Sequence, residues 1–151
     1  NILQEAIVHL IRNAVDHGIE KPNDRLTKGK NEVGILEILC QKLDDDKISI
    51  TIKDDGSGID ANKISEKGVK LGLIKKEEIE KMNTKEKLDL IFLPSFSTKE
   101  SVTEISGRGI GMDVVQKSLK LLDADLNIET AINEGTSFSL TFSSKPRVKL
   151  L

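Results

Sequence analysis

Apolar residues recur at helical spacing from residue 2 to about residue 17, where Leu3, Ile7, Leu10 and Ala14, flanked by Ile11 and Val15, form one face. Gly18 follows where a left-handed cap would end the helix. Residues 19–32 turn polar around Pro22 and Gly29, which predicts a loop with at most a short helical turn. Two strands follow, over 34–42 and 47–53, joined at 43–46. In the second, Ile48, Ile50 and Ile52 alternate with Ser49, Thr51 and Lys53, the period of a half-buried strand. For Asp44, Asp45 and Asp46 between them, a turn is preferred to a metal site. A helix is predicted from near Asp60 to Gly72, and short amphipathic helices over 75–82 and 84–93, the second stopped by Pro94. Residues 95–108 are polar and apolar-poor, predicting an exposed, mobile loop. A further helix over 109–122 precedes a closing hairpin of strands 125–132 and 136–142, turning at 133–135.

Helices therefore alternate irregularly with hairpins rather than with single parallel strands. The predicted class is α+β: a two-layer α/β sandwich whose mixed, mostly antiparallel sheet carries helices on one face. The 151 residues are one domain's worth of chain. Hydrophobic residues at 37% and charged residues at 32% place it among ordered globular domains, not disordered segments. The formal net charge of -2 and the absence of Trp and Tyr argue against a nucleic-acid-binding surface. No apolar run approaches the ~20 residues of a membrane span, and no signal peptide opens the chain. Cys40 is alone, so an internal disulfide is excluded and a reducing, cytoplasmic compartment is expected. The chain opens at Asn1, inside a helical pattern and without Met, and is read as an N-terminally truncated fragment.

Four short segments carry candidate chemistry. On the first helix His9, Arg12, Asn13, Asp16 and His17 fall within an arc of roughly 140°, opposite the apolar face. A solvated outer face is the plain alternative. The two imidazoles lie two turns apart, about 12 Å along the axis, too far to share a zinc ion; a Mg²⁺ held by Asn13 and completed by phosphate oxygens and water fits better. Next, Asp54-Asp55-Gly56-Ser57-Gly58 directly follows a strand. It is either a tight turn or a carboxylate fixed beside small residues for hydrogen bonding to an exocyclic amine. Third, Gly107, Gly109 and Gly111 open a helix and expose successive N–H groups to an anion. Their spacing is neither a Rossmann fingerprint nor a P-loop. Fourth, Glu134-Gly135-Thr136 turns the last hairpin.

Taken in order, HLIRNAVDHGIE (9–20), KDDGSGID (53–60), LIFLPSFSTKE (90–100), SGRGIGMDVV (106–115) and EGTSFSL (134–140) resemble the ATP-binding domain of the GHKL superfamily. That superfamily contains histidine kinases, type II topoisomerases, heat-shock chaperones and mismatch-repair ATPases; within it the strings resemble the chemotaxis histidine kinases. The resemblance implies an ATP-binding catalytic domain over residues 1–144, with 145–151 as a linker to a regulatory domain. It implies ATP and Mg²⁺ as ligands, Asn13 as the Mg²⁺ ligand, and Asp54 as acceptor for the adenine amino group. Gly56 and Gly58, with Ile59, would lie against the base, and Thr136 would help hold it. Gly107, Arg108, Gly109, Ile110 and Gly111 would cradle phosphates in a lid, with Ser97, Thr98 and Lys99 at its other end; Lys99 would offset γ-phosphate charge. Met112 is read as pocket wall or core, and Arg12, Asp16 and His17 as neighbours of the phosphates. His9 stands four residues before Asn13, where ATP-hydrolysing members carry Glu. This favours a kinase whose acceptor histidine lies on another domain, with His9 orienting that imidazole or taking its proton. Implied partners are that phosphoacceptor domain in trans, dimerisation and regulatory domains, and, through the full-length kinase, a coupling protein and chemoreceptors; neither nucleic acid nor membrane insertion is implied. A nucleotide-sensing module without transfer and a GHKL-type hydrolase are the alternatives.

Overall fold

A computed structural model describes residues 2–96 and 112–144. Its sheet has four strands, β1 (Leu36–Lys42), β2 (Lys47–Asp54), β3 (Asp125–Ala131) and β4 (Gly135–Ser143), in the order β1-β2-β4-β3. All three pairings are antiparallel, so the described sheet is not mixed. Register explains its two faces. Ile50 pairs with Leu140, Ile52 with Phe138, Leu126 with Leu140 and Ile128 with Phe138, which puts these apolar positions on one side. The other side carries Thr51, Ser139, Ser137, Asn127 and Glu129, with Thr51 and Ser139 hydroxyls 3.0 Å apart. A sheet patterned in this way buries one face and leaves the other wet.

The helices cover the apolar face. Ala6 and Leu10 of α1 (Ile2–Asn13) pack with Met112, Val115 and Leu119 of α6 (Met112–Leu122) over Ile52, Phe138 and Leu140. Fully burying a side chain such as Leu10 or Ile52 contributes about 1.5–3 kcal/mol. Between β2 and α6 run the helices α3 (Ala61–Lys70), α4 (Lys76–Ile79) and α5 (Thr84–Asp89). Asp60 caps α3 by accepting from the amides of Asn62 and Lys63, and Asn83 with Glu86 forms a reciprocal cap on α5. A tighter turn, Leu90–Phe92, extends α5 and buries all three of its residues.

Several sequence expectations change in detail. The first helix does not run evenly to residue 17: Ile19 N–H donates to Ala14 O at 2.7 Å, an i to i+5 bond that widens Ala14–Gly18 into a π-turn. Gly18 is not a left-handed cap; only Gly29, Gly58, Gly72 and Gly135 among the described glycines have positive φ. The polar stretch after it contains a six-residue helix, α2 (Pro22–Thr27), started by Pro22. Phe96, which the sequence assigns to an exposed loop, is buried in the core beside Phe92. Residues 97–111 and 145–151, which hold the rest of that loop, the glycine run and the expected linker, lie outside the described residues. In the β1–β2 turn Asp46 N–H donates to Asp44 Oδ1, the turn role expected of that acidic run.

Candidate functional site

At one end of the apolar sheet face the pattern changes from hydrocarbon to oxygen. Continuing the parity of Ile50 and Ile52 leads to Asp54; that of Phe138 leads to Thr136; that of Ile128 leads to Thr130. Asp54 pairs with Thr136, and Thr136 with Thr130, so the three stand side by side across β2, β4 and β3. The π-turn at the end of α1 roofs them. A Cβ on Gly18 would lie 3.2 Å from each Asp54 carboxylate oxygen.

Asp54 is 4% exposed. Burial pushes its carboxyl above the usual range, opposed by N–H donation from Gly56 and Thr136, while Asp55 adds to the rise and Lys30 opposes it. The bond from Gly56 N to Asp54 Oδ1 is 2.9 Å. A buried carboxylate with two backbone donors keeps lone pairs for a further donor, the requirement for an amine-bearing ligand. Thr130 completes the group, and sequence reasoning did not single it out. Its hydroxyl accepts from Ile59 N at 2.8 Å, donates to Gly135 O at 3.1 Å and lies 3.0 Å from the Thr136 hydroxyl. If the single Thr130 hydrogen goes to Gly135 O, Thr136 donates to Thr130 and offers acceptor capacity beside Asp54.

The glycines of the turn serve backbone contacts within the protein. A Cβ on Gly56 would stand 2.0 Å from Gly18 O, and Ser57 N donates to that same oxygen at 2.7 Å. Gly58, at φ +71°, would place a Cβ 2.1 Å from Ala131 O. Both glycines thus let the β2 exit lie flush against the helix end and the β3–β4 hairpin.

A second group forms where α1 meets α6. Asn13 Nδ2 donates to the Met112 sulfur, which leaves the amide oxygen at the opposite corner of the side chain, a hard ligand suited to Mg²⁺. Met112 is buried in the core cluster. His9, one turn earlier, is partly buried; burial and then the Arg12 charge hold its pKa below the ordinary value, against the opposing charges of Asp113 and Glu5. It is therefore neutral, and free to accept a proton, at neutral pH. Arg12, Asp16 and His17 are exposed. Among the described residues no group of three or more His, Cys, Asp or Glu could hold a metal ion.

Residues 1–146 match the family model described as Histidine kinase-, DNA gyrase B-, and HSP90-like ATPase. The chain belongs to that family. Among relatives of this ATPase domain, the chemotaxis protein CheA of Halobacterium salinarum is 41% identical over 92% of the chain, and that of Bacillus subtilis 40% identical over 90%. The chain spans about a fifth of the length of these relatives, 21% and 20%. The histidine kinase domain of the Erythrobacter litoralis EL346 blue-light activated histidine kinase shares the fold, with a TM-score of 0.51 at 13% identity, over 93% of this chain and 45% of that one. Ser97, Thr98, Lys99, Gly107, Arg108, Gly109, Ile110 and Gly111 of the ATPase motifs lie outside the described residues. No described helix is long and apolar enough to cross a membrane.

Proposed function

We propose that this chain is the Mg-ATP-binding catalytic domain of a cytoplasmic, chemotaxis-type histidine kinase, which transfers the γ-phosphoryl group to a histidine on a separate phosphotransfer domain. The observation that carries the reading is Asp54: a carboxylate at 4% exposure, held by two backbone N–H groups under a helix end, with acceptor capacity to spare. Adenine presents an amino group to such an acceptor, whereas guanine presents a carbonyl oxygen at the same place. Gly18, Ile59 and Thr136 surround the base, and Thr136 accepts from it or from water.

Asn13 would hold Mg²⁺ through its amide oxygen. Held there, Mg²⁺ would neutralise phosphate charge. Arg12, Asp16 and His17 are assigned to the phosphate side of the site, and the motif residues Gly107, Arg108, Gly109, Ile110, Gly111, Ser97, Thr98 and Lys99 to phosphate binding, on the sequence resemblance alone. Lys99 offsets charge as transfer proceeds. The acceptor imidazole attacks the γ-phosphorus, its new N–P bond forming as the bond to the β,γ-bridging oxygen breaks, and ADP leaves. His9, neutral because it is partly buried beside Arg12, orients the acceptor or takes its proton. The dimerisation and regulatory domains, the coupling protein and the receptors belong to the full-length kinase.

The test is transfer itself. Incubation with γ-labelled ATP, Mg²⁺ and a separately supplied phosphoacceptor domain should label that domain, and Asn13→Ala should abolish labelling. Free phosphate released without acceptor, at the rate seen with it, would instead identify a hydrolase.

A further inference from the structure

Beside the Asp54 turn lies a charge cluster that the proposed chemistry does not use. Arg25, on the short α2, is 1% exposed, and Glu20 and Lys30 are 8% and 16% exposed at their side chains. Arg25 Nε donates to Asn31 O at 2.7 Å, Nη1 to Glu20 at 3.2 Å and to Asp55 O at 3.3 Å, and Nη2 to Asp55 Oδ2 at 2.7 Å. Lys30 Nζ donates to Glu20 at 3.0 Å, to Asp55 O at 2.9 Å and to Gly56 O at 2.6 Å. The other Asp55 carboxylate oxygen accepts from Ile35 N at 2.8 Å. Two cations therefore grip the carbonyl of Asp55, and one of them also grips the next carbonyl.

The peptide joining Asp55 to Gly56 is trans. Its C=O and N–H point in opposite directions, so whatever fixes the Asp55 oxygen also aims the Gly56 N–H. That N–H is the donor to Asp54 Oδ1.

We infer that Arg25 and Lys30 are positioning residues for nucleobase selection: by holding the Asp55 and Gly56 carbonyls they turn the peptide that fixes the Asp54 carboxylate toward the base. Lys28 shares Glu20 at 3.1 Å but makes no bond to the turn, which makes it a matched control for net charge. The inference rests on the reading of Asp54 as adenine acceptor.

Calorimetric titration of the full chain with ATP and with GTP separates the possibilities, with thermal melting run on each variant. Lys30→Met should weaken ATP binding about tenfold, the loss of one charge-assisted hydrogen bond, with GTP binding little changed, so that selectivity collapses. Lys30→Arg should restore selectivity, and Lys28→Met should match the unsubstituted chain. A folded Lys30→Met chain with undiminished selectivity overturns the inference, as does equal weakening of both nucleotides. Failure of Lys30→Met to fold overturns it too, because Lys30 would then serve the fold and not the aim. Absence of adenine preference in the unsubstituted chain defeats the reading of Asp54 itself and is told apart by occurring without any substitution.

Discussion

Replacing Gly56 by Ala tests how the site is assembled. The added Cβ would sit 2.0 Å from Gly18 O and 2.7 Å from Asp54 Oδ1, while contacts below 3.0 Å are essentially never seen. The two backbones must separate by at least about 1 Å. That movement gives up the 2.7 Å bond from Ser57 N to Gly18 O and the 2.9 Å bond from Gly56 N to Asp54. At about 1 kcal/mol for the first and about 2 kcal/mol for the second, which is buried and charge-assisted, the cost is about 3 kcal/mol. For a domain of this size the melting midpoint should fall by about 6–12 °C. Gly29→Ala is the comparison: φ there is +72° but no atom lies within 4 Å of the new Cβ, so only the left-handed backbone is penalised, about 1 kcal/mol. Urea unfolding followed by circular dichroism measures both, and ATP titration should show binding lost in Gly56→Ala and kept in Gly29→Ala. A Gly56→Ala chain within about 0.5 kcal/mol of the unsubstituted one would refute the reasoning.

Acid stability should depend on the cluster behind the turn. Burial pushes the Glu20 carboxyl up, but its own backbone amide and the ammonium groups of Lys30 and Lys28 outweigh this and hold it at about 2; Asp55 is likewise held low, against burial, by Ile35 N–H and Arg25. Both bind fewer protons folded than unfolded, so their contribution is complete above the unfolded value and is lost as pH falls from 4.5 toward about 2. Asp54, raised by burial, runs the other way and is relieved by acid. Urea midpoints between neutral pH and pH 2 should fall less steeply in Glu20→Gln; an unchanged slope would contradict the assignment. Asp113 supports the His9 proton against burial and Arg12, so Asp113→Asn should lower the His9 pKa further, measured by its NMR titration, and a rise would count against the α1–α6 electrostatics.

Much of this was legible in the chain. Alternation in β2 gave the buried face, and the same parity carried one step further puts Asp54 on it. The caps at Asp60 and Asn83 follow from residue type. What escaped is long-range. The π-turn at Ala14–Gly18 has no periodic signature, because an even 100° step cannot show where a helix widens. Arg25 sits in a polar, proline-containing stretch that reads as surface, and only its contacts with Glu20 and Asp55 reveal why it is buried. Thr130 gains meaning only when the β3–β4 register sets it beside Thr136. Gly18 reads as a left-handed cap and Gly56 as room for a ligand; in the structure a Cβ on Gly56 would run into Gly18 O, and one on Gly18 would press on the Asp54 carboxylate.

The role proposed for Asp54 is selection of adenine in a Mg²⁺-dependent nucleotide site. Calorimetric titration with ATP and GTP, each with and without Mg²⁺, on the unsubstituted chain and on Asp54→Asn tests it directly. ATP should bind saturably, Mg²⁺-sensitively and in preference to GTP, with binding weakened by about 1–3 kcal/mol in Asp54→Asn. Equal affinity for the two nucleotides, or ATP binding unaffected by Asp54→Asn, would contradict it.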